Sequence, residues 1–120
     1  ELLKVEQIAF LGTGWTVGLA NEAALKTRES SQFWAEAYPA MDYRHGPISI
    51  AQPGRAVWIF GKSPAGLEKN IADSGALLVT SELDPMVHLV LAQRVAVAIS
   101  EGRGLDTDNP RGLARSIVLN

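Results

Sequence analysis

Short apolar runs separated by glycine, proline and polar turns alternate with longer stretches of helical spacing along most of the chain. Gln7–Leu11 (QIAFL) is such a run, and Gly12-Thr13-Gly14 follows it, the pattern of a buried strand entering a tight turn. A helical pattern is predicted from Thr16, as N-cap, to Phe33, with Ala20, Ala23 and Ala24 small enough to lie close to a sheet. Trp34–Tyr38 reads as a second strand closed by Pro39, and Ala40–Gly54 as irregular chain. Arg55–Phe60 is a third strand. Ser63-Pro64 carries the signature of a helix start, with Leu67 and Ile71 on its buried side and Gly75 at its end. Ala76–Thr80 is a fourth strand, and Asp84-Pro85 opens a last helix to about Glu101. That helix is apolar on nearly every side, which predicts cover on two faces, one by the sheet and one by another domain or subunit.

Strands alternate with helices, and three of the apolar runs lack the polar alternation of a one-sided sheet. The expected fold is therefore α/β, a three-layer αβα sandwich around a mainly parallel, doubly wound sheet. In such sheets ligands sit outside the carboxyl ends of the strands, where the turns Gly12–Thr16 and Pro39–Pro47 fall. One core fits 120 residues, so residues 1–120 are read as a single domain. The chain opens almost directly on a strand without a starting methionine, and is read as part of a longer protein.

Composition narrows the chemistry. A net charge of −2 without a basic tract argues against nucleic acid as a partner. With no cysteine there is no disulfide, thiolate nucleophile or zinc–sulfur site, and two histidines make a His-rich metal site improbable. No metal or cofactor is expected. The longest apolar run, near Leu89–Ile99, is broken by Gln93 and Arg94, so no membrane partner is expected, and a cytoplasmic location is.

Three groups of residues carry candidate chemistry. The first is Gly12-Thr13-Gly14 with Gly18, a glycine turn into a helix whose amides and dipole suit an anion. Its GxGxxxG spacing is not the GxGxxG of a dinucleotide site, and glycines for a tight turn explain it equally. The second is Glu22, Lys26 and Glu29, at i, i+4 and i+7, within an arc of about 60° at 3.6 residues per turn. Leu19, Leu25 and Phe33 flank that arc, so the charges are expected on a partly apolar, buried side where a carboxylate can serve as general base. A surface salt-bridge ladder is the bland alternative. The third is Tyr43-Arg44-His45-Gly46-Pro47, a loop imidazole whose ordinary pKa near 6.5 suits proton transfer. His88 is given no role.

The segments NEAALKTRES (21–30), AEAY (35–38), RHGP (44–47) and NPRGLARSIVL (109–119) occur in one chain in this order. In this they resemble the second of the two sugar isomerase (SIS) domains of the glucosamine-6-phosphate synthase family. The resemblance implies the SIS fold, a C-terminal half packed against an N-terminal SIS domain, a homodimer, and a phosphorylated hexose or amino sugar as ligand. It implies that Glu29 shuttles a proton between sugar C1 and C2, and that His45 opens the ring in the site of a neighbouring subunit. Glu22 and Lys26 support them, and Thr13, Gly14 and Arg115 are further substrate-binding candidates. Relatives carry a Schiff-base lysine where Arg115 stands, and a guanidinium stays protonated. Amination is thus disfavoured, leaving an isomerase or deglycase, or a non-catalytic sensing or dimerisation module. A dinucleotide-binding domain is the weakest rival. The Ser/Thr-rich phosphate loop of these relatives lies in their first domain and has no counterpart run here, so the isolated domain is expected to be inactive.

Overall fold

The computed structural model describes residues 2–104. Four parallel strands, β1 (Gln7–Gly12), β2 (Trp34–Pro39), β3 (Arg55–Ile59) and β4 (Leu77–Val79), form one sheet in the order β2-β1-β3-β4. β1 and β3 lie inside it, which is why their residues are buried almost without interruption. Side chains alternate across the sheet. Ile8, Phe10, Ala56 and Trp58 point to one face, under α1 (Thr16–Ser31) and α4 (Pro85–Gly102). Ala9, Leu11, Val57 and Ile59 point to the other, under α2 (Ala40–Tyr43) and α3 (Leu67–Asp73). Helices on both faces of a parallel sheet make the expected three-layer, doubly wound α/β fold.

Local chemistry sets the boundaries. Asp84 caps α4 as expected, its carboxylate accepting the Met86 N–H at 2.8 Å, with Pro85 in the first turn. Thr16 is not an N-cap; it is the first helical residue, after Trp15. α1 stops at Ser31, short of Phe33, because Gln32 turns left-handed (φ 53°). Arg103 then ties the two helix ends together, donating to the carbonyls of Ser31 and Gln32 at 3.0 and 3.2 Å. α3 begins at Leu67, not at Ser63-Pro64, because Gly66 sits at φ +84°, outside helical space. Leu67 and Ile71 are fully buried. The stretch expected to be irregular instead holds α2 and a 3-10 turn at Pro47–Ile50.

Among the described residues, α4 is covered on one side only. His88, Leu89, Ala92, Ala96 and Ile99 are buried, with the His88 ring 4.8 Å from Trp58 and 5.2 Å from Phe60. Its other side leaves Met86, Val87, Val90, Leu91 and Val97 between 40% and 53% exposed.

Candidate functional site

The carboxyl ends of β1 and β2 carry two of the groups picked out in the sequence. Gly12 closes β1 so near the first turn of α1 that a Cβ there would lie 2.3 Å from the Thr16 carbonyl oxygen. The glycine therefore answers to packing. Gly14 adopts φ +59°, the left-handed turn conformation. The Thr16 hydroxyl accepts the Thr13 N–H at 2.7 Å and lies within hydrogen-bond distance of the Thr13 and Phe60 carbonyls. The N–H groups of Thr16 and Val17 donate to the carbonyls of Thr13 and Gly14 at 3.2 Å. Much of the expected anion cradle is thus spent on its own turn, although Thr13 and Gly14 remain exposed.

The charged row of α1 faces differently from the expectation. The sheet-facing stripe of the helix is Thr16, Ala20, Ala23, Ala24, Thr27 and Ser31. At about 100° per residue, Glu22, Lys26 and Glu29 lie opposite it, on the outward side. Glu22 and Lys26 form an ion pair at 3.7 Å with side chains 40% and 49% exposed, and Glu29 is half-buried. The alanines let the helix approach the sheet closely, so the small face went inward and the charged one outward.

His45 is exposed in the turn after α2, its N–H donating to the Asp42 carbonyl at 3.1 Å. Neighbouring Arg44 donates to the Ala65 carbonyl, fastening this turn to the loop after β3. Glu29 and His45 do not meet within one chain. α1 starts at the carboxyl edge of the sheet and runs back along it, so Glu29 lies about 20 Å along the helix from that edge at 1.5 Å per residue. His45 stays at that edge, beyond α2 on the opposite face of the sheet.

On β2, Trp34, Glu36 and Tyr38 share one face. Glu36 accepts the Trp34 indole N–H at 3.0 Å and the Tyr38 hydroxyl. The bond from Trp34, then that from Tyr38, holds the Glu36 carboxyl below its ordinary range. The bond to Glu36 pushes the Tyr38 phenol up to about 12, and burial does the same for Tyr43.

The sequence offers no run of Ser and Thr, yet the fold assembles a small set. Because β3 and β4 are adjacent and parallel, the loops after them meet around a cavity of about 610 Å³ at the carboxyl edge. Lys62, Ser63, Thr80 and Ser81 line it together with Glu68 and Glu82. The Ser63 hydroxyl donates to Glu68 at 2.5 Å. Two carboxylates beside one ammonium and several hydroxyls suit a polyol better than a bare anion. Spacing along the chain gave no signal for it, since Ser63 and Thr80 come together only through strand order. Among the described residues no cluster of three or more acidic, His or Cys side chains is placed to hold a metal ion. No described helix is long and apolar enough to cross a membrane.

Known proteins are similar to this chain in sequence and in fold. A glutamine–fructose-6-phosphate aminotransferase (isomerizing) of Pyrobaculum aerophilum is 33% identical over 92% of the chain, and its Neisseria meningitidis counterpart 29% over 99%. The crystal structure of glucosamine-6-phosphate deaminase from Thermotoga maritima superposes with a TM-score of 0.85 and 26% identity, covering 95% of the chain and 41% of the deaminase. The chain has the sugar isomerase (SIS) fold and is similar over nearly its whole length to proteins with SIS domains. This SIS domain spans about a quarter of the length of the curated relatives it matches, 24% of the Neisseria protein and 23% of the Pyrobaculum one. No family model matches the chain. Its similarity is to the C-terminal SIS region of the aminotransferases. Of the site residues read from the sequence, Arg115 lies outside the described residues.

Proposed function

We propose that this SIS domain is the C-terminal half of a two-SIS-domain protein and supplies the acid–base groups of a ketose–aldose type reaction on a hexose 6-phosphate. One observation carries the reading. Proteins named for fructose-6-phosphate amination with isomerisation and for glucosamine-6-phosphate deamination match this chain over nearly its whole length. In this reading His45 protonates the ring oxygen as the anomeric hydroxyl gives up its proton, opening the sugar. The Glu29 carboxylate then takes a proton from C1 or C2 and returns it to the neighbouring carbon through an enediol. Nothing is oxidised or reduced overall. Glu22 and Lys26 orient the open chain, and Thr13, Gly14 and Arg115 contact the substrate. The separation of Glu29 from His45 supports a site made from two copies, one giving the carboxylate and the other the imidazole. Arg115 supports isomerase or deglycase chemistry over amine transfer.

The test uses the full-length protein with fructose-, tagatose- and glucosamine-6-phosphates. Glu29→Gln and His45→Asn should each lower turnover by about 10²-fold or more with the fold intact. Mixing the two inactive variants should restore part of the activity, since a mixed dimer holds one intact pair. Wild-type turnover in both variants would remove these roles. The outward, paired state of Glu22 and Lys26 favours a second reading, binding without turnover; calorimetry showing phosphosugar binding with no conversion would establish it.

A further inference from the structure

The exposed His45 imidazole makes no hydrogen bond among the described residues. Nothing around the ring orients it, so the backbone that bears it sets its position. That backbone is pinned on both sides. Before it, Tyr43 is buried with its ring 5.8 Å from that of Tyr38, and the His45 N–H donates to the Asp42 carbonyl at 3.1 Å. After it, Gly46 and Pro47 lead into the 3-10 turn, where the Ser49 N–H donates to the Gly46 carbonyl at 2.9 Å. The long-range tie is Arg44. Its guanidinium donates to the carbonyl of Ala65, in the loop between β3 and α3, and a Cβ added at neighbouring Gly66 would lie 3.3 Å from it. β1 separates β2 from β3 in the sheet, so Arg44 bridges two loops whose strands are about 10 Å apart. It takes part in none of the ion pairs among the described residues, and its Nε is buried without a hydrogen-bond partner. The charge is thus spent on a backbone carbonyl, and the orphaned nitrogen calls for a reason.

We propose that Arg44 is a positioning residue for His45: by fastening the turn to Ala65 it holds the imidazole where it meets the sugar ring oxygen, so the loop after β3 governs the rate of ring opening. The inference rests on the ring-opening role proposed for His45. Arg44 itself touches no reacting atom. A guanidinium that gives one nitrogen to a carbonyl and buries its Nε is poorly placed to grip a phosphate, which takes two parallel N–H groups. Placement carries this much weight because an error of about 1 Å can cost about 10²-fold in rate.

Turnover of the full-length protein on fructose-, tagatose- and glucosamine-6-phosphates tests this, with His45→Asn alongside. Arg44→Met keeps the stem and removes the donors; it should lower kcat by about 10- to 10²-fold with KM changed less than about twofold. Arg44→Lys keeps a donor, which is all that one carbonyl needs, and should bring kcat back to within about threefold of the wild type. Arg44→Met combined with His45→Asn should lose no more than His45→Asn alone, because a residue that acts through the imidazole has no effect once the imidazole is gone. Amide exchange across Tyr43–Gly46 should quicken in Arg44→Met while that of β1 stays the same. If Arg44→Met does not fold, Gly66→Ala, whose Cβ crowds the guanidinium, takes its place and should show the same loss in kcat and the same faster exchange. Unchanged kcat, a raised KM with kcat kept, additive losses in the double variant, a shifted pH profile at full plateau turnover, or unchanged exchange across the turn each overturns the proposal. Wild-type turnover in His45→Asn sinks both this proposal and the catalytic reading; a slow His45→Asn beside a fast Arg44→Met sinks this proposal alone.

Discussion

Gly12 and Gly18 belong to one glycine pattern at the mouth of the candidate site, and replacing each by alanine should move stability in opposite directions. An alanine Cβ at position 12 would lie 2.3 Å from the Thr16 carbonyl oxygen, 2.5 Å from its carbon and 2.7 Å from the Val17 nitrogen. All three are backbone atoms, so no side-chain rotation relieves the clash; the end of β1 or the first turn of α1 has to shift. Overpacking costs about 1–3 kcal/mol, and a clash against backbone belongs at the upper end, about 3 kcal/mol. At position 18 a Cβ meets nothing within 4 Å, and the residue lies inside the first turns of α1. Gly18→Ala should stabilise by about 0.5–1 kcal/mol through helix propensity and lost unfolded-state freedom. At about 4 °C per kcal/mol for a domain of this size, the melting temperature should fall by about 12 °C for the first variant and rise by about 2–4 °C for the second. Urea denaturation gives the free energies directly. If Gly12→Ala unfolds within about 0.5 kcal/mol of the wild type, the strand end and helix do not make the contact described, and the packing account of the motif is wrong.

Two further predictions concern titration. The chain has two tyrosines, and both are pushed up to about 12, Tyr38 by its bond to Glu36 and Tyr43 by burial. Ultraviolet difference spectroscopy should find no tyrosinate forming near pH 10 while the protein stays folded; an early step of one phenol would refute the Tyr38–Glu36 bond or the burial of Tyr43. Between the ordinary value of 10 and about 12 the folded state holds more protons than the unfolded, so stability should fall as pH rises through that window. His88 behaves in the opposite sense at the acid end. Burial lowers its pKa below 6.5, so just below that pH the unfolded state holds the extra proton and stability should fall as pH drops. The urea midpoint should decline from about pH 7.5 to about pH 5.5 more steeply in the wild type than in His88→Phe, and equal slopes would refute the burial argument.

The parallel sheet and its layering were legible because they follow from run length and spacing. QIAFL could only be a short buried strand, and Asp84-Pro85 before an apolar stretch could only open a helix. The alanines of α1 were read correctly as the residues that lie close to the sheet, but the Glu22–Lys26–Glu29 row was placed on a buried side because Leu19, Leu25 and Phe33 flank it. Close packing prefers the small face, and Ala20, Ala23 and Ala24 took it. The start of α3 was misplaced because a Ser-Pro cap signal competes with a glycine whose left-handed turn lies three residues later. The cavity between Ser63 and Thr80 had no signature because its walls come from loops that only strand order brings together.

The separation of Glu29 and His45 follows from the winding itself. A helix joining two parallel strands must run back from the carboxyl edge to the amino edge, so a residue near its end is carried away from the edge where the strand loops gather. Glu29, about 20 Å along α1, is such a residue, and His45, in the loop after β2, remains at the gathering edge. No rotamer of either side chain spans that distance and the thickness of the sheet. In the proposed reading, where a carboxylate and an imidazole act on one sugar, the reaction therefore needs a second copy of the chain. The outward turn of the Glu22–Lys26–Glu29 row, which contradicts the expected burial, leaves these groups within reach of a second copy. A group that serves a site shared with another copy has to lie where that copy can reach it.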